Sequence, residues 1–170
     1  MGLCAQSSRA TCSRSEDRIR EDRLSDASFE VVPYAPAHLR ALALQPMQAS
    51  LSAFVASGDY AEKVARAGPA WTAFDHGRPI GCGGFTFPWE ERAIAWAVLG
   101  DCGSRMIRVT RAVKDGMARC PAARIECQVR ADFAPGLRWA AALGFTREAL
   151  LRRFYEGADF WSFVMLKGEH

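Results

Sequence analysis

The residues with the most chemistry to offer lie between Ala93 and Phe145. An apolar run, AIAWAVLG, passes through the short turn DCGS into an arginine-studded stretch, RMIRVTRAVKDGMARC. A second strand-like run, RIECQVR, follows, and a short helix closes on LGF. Free backbone N–H groups and the helix dipole converge on such a turn, which suits it to an anion such as a phosphate. Arg105 and Arg108 stand one helical turn apart, and either can add charge there. With Arg111 they form a stripe that reads either as a phosphate-facing edge or as a solvated helix face. Cys102 sits at the expected helix start, where a thiol pKa falls, yet no histidine is placed to partner it as a nucleophile. Glu90 and Glu91, in the turn before AIAWAVLG, and Glu126, within RIECQVR, are carboxylates able to take a proton. Their plainer readings are a solvated turn and an arginine partner. His76 falls in a turn and reads as solvated.

The rest of the composition narrows the classes. Six cysteines contain no C-x-x-C pair, and His38, His76 and His170 are far apart, so no metal site is expected. Reduced thiols in a cytoplasmic setting fit this usage. No apolar run nears the roughly 20 residues that a membrane span needs, so no membrane partner is expected. The 170 residues carry a net charge of +3, with 49% hydrophobic and 24% charged residues, an ordinary globular balance. That charge is too small to call for nucleic acid. Between Ser104 and Arg153, however, ten arginines and one lysine face only four acidic residues. Such a bias serves an anionic ligand or a solvated surface.

These side chains need elements to position them. Residues 1–27 are rich in serine and in charges of both signs, too poor in large apolar groups to offset ordering entropy, and read as a disordered leader. Residues 28–170 read as a single domain. FEVVPY is a strand, and PAHLRALALQ has helical spacing through Leu39, Leu42 and Leu44, with Pro36 suited to the first turn. A second helix is expected from Gln48 to Arg66, interrupted near Ser57-Gly58. AWTAFD and RPIGCGGFTF form a hairpin across Asp75-His76-Gly77-Arg78, and Gly81, Gly83 and Gly84 suggest a bulge or a close approach. Arg92 to Leu99 is the fourth strand, Gly103 to Arg119 a helix, Arg124 to Arg130 the fifth strand, and Ala134 to Leu143 a helix ended by Gly144. TREALLRRFY and FWSFVMLK form a last hairpin across Glu156-Gly157. The order is βααβββαβαββ, an α/β class with antiparallel hairpins at both ends.

This order, the DHGR hairpin leading into Pro79-Ile80-Gly81, the fourth strand feeding a basic helix, and Leu143-Gly144-Phe145 before the last hairpin together resemble the GNAT superfamily of N-acetyltransferases. The resemblance covers about Phe29 to Lys167. More narrowly, the glycine-rich third strand, the tryptophan in the fourth and the arginine-rich helix are similar to small phage-encoded GNAT-like proteins, among them an internal virion protein of T7-type phages. The resemblance implies a mixed central sheet splayed between strands four and five, with acetyl-CoA as co-substrate in the splay. Trp96, Ala97, Val98 and Leu99 would then face its pantetheine arm. Cys102, Gly103, Ser104 and Arg105 would cradle its pyrophosphate, with Arg108 adding charge. It implies acetyl transfer to a primary amine, with Glu91 as the leading base and Tyr155 as the acid if the last hairpin folds over the site. Many family members carry a tyrosine acid where Ala140 stands here. The family's loop reads Q/R-x-x-G-x-G/A; aligned on Gly103, it puts Gly100 where Gln or Arg belongs and Arg105 where a small residue belongs. That departure favours the alternative of a fold kept without catalysis, a phage structural or host-interacting component located in the virion. A third reading is a weak nucleic-acid binder using the arginine face.

Overall fold

A computed structural model describes residues 28–46, 48 and 59–168. The leader expected over residues 1–27 and most of the second helix expected from Gln48 lie outside the described residues. The elements are β1 (Phe29–Pro33), α1 (Pro36–Arg40), α2 (Tyr60–Ala67), β2 (Ala70–Asp75), β3 (Arg78–Trp89), β4 (Arg92–Leu99), a 3-10 turn (Gly103–Arg105), α3 (Met106–Arg119), β5 (Arg124–Arg130), α4 (Ala134–Leu143), β6 (Thr146–Tyr155) and β7 (Ala158–Leu166). They form one seven-stranded sheet in the order β1-β2-β3-β4-β5-β7-β6. All neighbours pair antiparallel except β4 and β5, which are parallel.

Local sequence explains most of this. The β2–β3 hairpin turns on His76 and Gly77, both at positive φ (48° and 72°), with Asp75 facing Arg78. That is the two-residue turn whose twist matches its strands. The β6–β7 hairpin repeats it with Glu156 and Gly157 at 49° and 74°. In β3, a Cβ on Gly84 would stand 2.5 Å from the Pro69 carbonyl oxygen, so the expected close approach is that of the chain entering β2.

The sheet carries a core on each face. On one, α3 and α4 cover Phe85, Ala93, Ile125 and Phe163. On the other, α1, the chain just after it and α2 bring Leu39, Leu42 and Ala61 against Cys82 and Val98. Side chains as buried as Ile125 and Phe163 contribute roughly 1.5–3 kcal/mol each. One expectation fails here. The PAHLRALALQ spacing predicts helix through Leu44, but α1 stops at Arg40. Beyond it the chain drops Leu42 into the core and lets the Gln45 N–H donate to the Leu99 carbonyl at 3.1 Å. A partner on β4 outweighs the small helix preference of a few residues.

Candidate functional site

β4 and β5 begin as neighbours and then part. Their parallel register covers only Arg92–Ile94 against Arg124–Glu126. β4 keeps its pairing with β3 out to Leu99, and β5 keeps its pairing with β7 out to Arg130. Each strand is thus held by its outer neighbour while the inner edges stay unpaired with one another after Ile94. A cavity of about 930 Å³ opens there, lined by Ala95, Ala97 and Leu99 of β4 and by Cys127, Gln128 and Val129 of β5. This is the size and mainly apolar character of a small-molecule site.

Glu126 marks the last rung before the gap. Its carboxylate receives Arg92 Nε at 2.8 Å and Nη2 at 2.6 Å, and Arg124 Nε as well. Arg124 also reaches Glu148. The Arg92 hydrogen bond, more than offsetting burial, together with Arg124 holds the Glu126 carboxyl below its ordinary value. Such a group clamps the two strands and is a poor base. The arginine partner that the sequence allowed is the one found.

Glu91 is placed apart from the cavity. It lines a second recess of about 310 Å³ at the start of β4, with Trp89, Arg92 and Arg124. Tyr155 does line the main cavity, together with Tyr60 and Glu156. It arrives there because β6 bulges between Leu151 and Tyr155, with Arg153 at φ 51° and its N–H donating to Asp159 Oδ1 at 2.8 Å. Burial, then the Glu156 charge and a hydrogen bond to it, push the Tyr155 phenol above its usual range. Burial and then Tyr155 push Tyr60 up too. Both phenols therefore keep their protons at neutral pH and act as donors. Glu156 and Tyr60 were missed in the sequence. Glu156 reads as a turn residue, and Tyr60 falls inside the helix expected from Gln48 to Arg66, just after its interruption.

The residues expected to hold a ligand along β4 and the next helix divide. Ala97 and Leu99 line the cavity, whereas Val98 points into the α1/α2 core at 2% exposure. Among the described residues the lining leaves β4 at Leu99 and resumes at Val109, so Cys102, Gly103, Ser104, Arg105 and Arg108 are not part of it. The turn itself is internally satisfied. The Gly103 N–H donates to Asp101 Oδ1 at 3.0 Å, that of Arg105 to the Cys102 carbonyl at 2.8 Å, and that of Met106 to the Gly103 carbonyl. Arg105 is 14% exposed and turns away, its Nε 2.9 Å from Asp75 Oδ1 and its Nη2 3.0 Å from Ser28 Oγ. Burial alone would raise the Asp75 carboxyl, but Arg105 and Ser28 outweigh it and hold it low. Arg108 lies over the Phe29 ring at 5.6 Å. Two members of the arginine stripe therefore brace β1 and the β2–β3 hairpin.

The lowered thiol pKa expected for Cys102 is overturned. Burial, then the Asp101 charge, push it up to about 11, and its Sγ donates to the Ile80 carbonyl at 3.3 Å. Desolvation of a thiolate outweighs the helix terminus here.

The β4 edge facing the gap has an occupant. The Gln48 side-chain amide donates from Nε2 to the Ala97 carbonyl at 3.0 Å and accepts at Oε1 from the Leu99 N–H at 2.8 Å. Trp96 Nε1, by contrast, is buried with no acceptor among the described residues.

This seven-stranded sheet with its one parallel pair matches the fold of GNAT acetyltransferases of solved structure. The chain is similar over 81% of its length to an acetyltransferase of the GNAT family from Streptococcus pneumoniae, covering 99% of that chain at 15% identity and a TM-score of 0.58. It is similar to RimL, a ribosomal L7/L12 alpha-N-protein acetyltransferase in complex with coenzyme A, with 82% and 94% of the two chains covered, 13% identity and a TM-score of 0.61. It also matches a variant of the spermidine N-acetyltransferase SpeG from Vibrio cholerae, at 83% and 95% coverage, 11% identity and a TM-score of 0.56. No family model matches the sequence, and no curated protein does. No described helix is long and apolar enough to cross a membrane.

Proposed function

We propose that the chain is a GNAT-fold acyltransferase that moves an acetyl group from acetyl-CoA to a primary amine. The carrying observation is the cavity where β4 and β5 part, on a fold whose solved neighbours include one holding coenzyme A. Acetyl-CoA would supply an activated acyl group. A thioester arm lying along Ala97 and Leu99 would take the edge that Gln48 now holds. The turn does not yet fit a diphosphate, since three of its N–H groups are engaged and Arg105 is tied to Asp75.

The chain's own groups supply the rest. Tyr155 holds its phenol proton through neutral pH and donates a hydrogen bond toward negative charge building on a departing sulfur. Its neighbour Glu156 binds the incoming amine and takes its proton, a role that Glu91 in its separate recess cannot share with Tyr155. The neighbours' substrates span a polyamine and protein N-termini, and this chain's acceptor is an amine small enough to meet Glu156 at the cavity. Calorimetric titration with acetyl-CoA, followed by coenzyme A release with spermidine, lysine and an N-terminal peptide, tests the proposal. Absence of heat, of thermal shift and of release with every amine refutes it.

A second reading, a fold kept without catalysis in a phage particle or on a host partner, draws on the self-satisfied turn. Acetyl-CoA binding with turnover would remove it.

A further inference from the structure

The Gln48 contact supports a step beyond the acyltransferase reading, on which it rests. Along a strand, successive residues turn their N–H and C=O groups to opposite neighbours. The Gly100 N–H donates to Ile80 in the β3 direction, so Leu99 and Ala97 present theirs to the gap. A molecule lying in that gap meets the Ala97 carbonyl, the Leu99 N–H and the Leu99 carbonyl. All three are engaged by one segment of the chain: Gln48 takes the first two, and the Gln45 N–H takes the third. Gln45 Nε2 also donates to Gln48 Oε1 at 3.1 Å. One side-chain amide thus spans Ala97 and Leu99 as the peptide of a neighbouring strand would.

A second observation, independent of these bonds, says that the segment is seated by design of the strand end. Gly100 is buried, and a Cβ on it would stand 2.6 Å from the Ala43 carbonyl oxygen and 3.3 Å from Leu42 Cδ1. Any side chain at position 100 would push the segment off β4.

We propose that Gln48 is an affinity-setting residue: its amide holds the place of a ligand's secondary amide on the β4 edge, and an amide-bearing arm of the pantetheine type binds by displacing it. The site then discriminates by chemistry. An arm with an amide recovers both hydrogen bonds that Gln48 gives up, and a purely aliphatic thioester recovers neither, leaving buried backbone groups unpaired. Trp96 Nε1, with no acceptor among the described residues, is a further donor on the same strand for a ligand carbonyl.

The test uses the full chain, with pantetheine and acetyl-CoA as separate calorimetric probes. Gln48→Ala is expected to raise pantetheine affinity about tenfold, the equivalent of exchanging two net hydrogen bonds. Gly100→Ala, which unseats the whole segment, is expected to do the same. The Leu99 amide should exchange with solvent faster in Gln48→Ala and become protected again when pantetheine is added, a readout that does not depend on turnover. Unchanged or weaker pantetheine binding in Gln48→Ala overturns the inference. Tight, equal acetyl-CoA binding by wild type and both variants also overturns it while leaving the acyltransferase reading intact. A pantetheine gain without any acetyl-CoA binding supports the competition and refutes the acyltransferase reading.

Discussion

Replacing Glu126 by glutamine should weaken the fold at the point where the site begins, and the loss should depend on pH in a defined direction. The carboxylate is 6% exposed, accepts three guanidinium hydrogen bonds, and sits on the last rung joining β4 to β5. Removing one partner of a buried ion pair costs about 3–5 kcal/mol. Arg92 and Arg124 keep 28% and 33% of their side-chain surface in water, and the amide retains one acceptor. Solvent therefore takes up part of the loss, and we expect about 2 kcal/mol. For a domain of this size that lowers Tm by about 4–8 °C.

The pH dependence follows from linkage. Glu126 is held below the ordinary value for glutamate, about 4.3. A carboxyl depressed on folding contributes its stability in full above its unfolded pKa and loses it as pH falls through the folded one. The wild-type advantage should be flat from about pH 7 to 5 and shrink below about 4.3, while other carboxylates, common to both proteins, cancel in the difference. Denaturant unfolding of both proteins from pH 7 to 3 measures it. A difference under about 0.5 kcal/mol at pH 7, or one as large at pH 3 as at pH 7, refutes the ion-pair account.

Three further outcomes can be checked on the same protein. Tyr155→Phe should lower kcat for coenzyme A release about a hundredfold with acetyl-CoA affinity unchanged, since only the proton donor is lost; an undiminished rate refutes its role. Arg105→Ala removes the ties to Asp75 and Ser28 and should cost about 1–2 kcal/mol, read as an earlier denaturant midpoint; an unshifted midpoint would show that the brace carries no weight. Cys102, its thiol pushed up to about 11, should react with iodoacetamide at pH 7.5 some hundredfold more slowly than free cysteine. Mass spectrometry after short labelling locates the modified residue, and early alkylation of Cys102 contradicts its burial.

The succession of strands along the chain was legible because most of them are bounded by a turn with its own chemistry. His76-Gly77 and Glu156-Gly157 need positive φ at two successive residues, and both occur where the sequence placed hairpins. Gly144, at φ 101°, closes α4 as expected. Periodicity failed where tertiary partners took over, as at Leu42 and Gln45, which leave the helical pattern for the core and for β4. In the candidate site, Ala97 and Leu99 were named through the family resemblance, which sets the fourth strand along the ligand, and both line the cavity. Tyr155 enters the cavity through a bulge at Arg153 that no residue type announces, and Glu156 comes with it. At the turn, a basic residue after a glycine suggests a phosphate, and in the structure Arg105 meets an acid of the β2–β3 hairpin, 30 residues earlier in the chain.

What closes the gap between β4 and β5 matters more than that it is closed. Backbone groups lining a cavity require partners, and leaving them bare costs about 1–3 kcal/mol each. Had β5 continued alongside β4 beyond Ile94, a peptide ladder would have satisfied them, and opening it would mean breaking a cooperative sheet. Instead Gln48 satisfies Ala97 and Leu99 through one flexible side chain. Its two bonds hold the closure by about 1–3 kcal/mol net, a figure that already includes about 1.5–2 kcal/mol for ordering the glutamine side chain, so the closure is weak enough to reverse. A ligand arm pays a larger ordering cost than the tethered side chain and displaces it only because the rest of the arm gains apolar contact along the cavity wall. Gly100 makes this arrangement possible by letting the segment come down onto the strand end. Gly100, one of the two positions that depart from the GNAT loop pattern, is thus the one that admits a reversible occupant, and irregularity at position 100 does not by itself argue against binding.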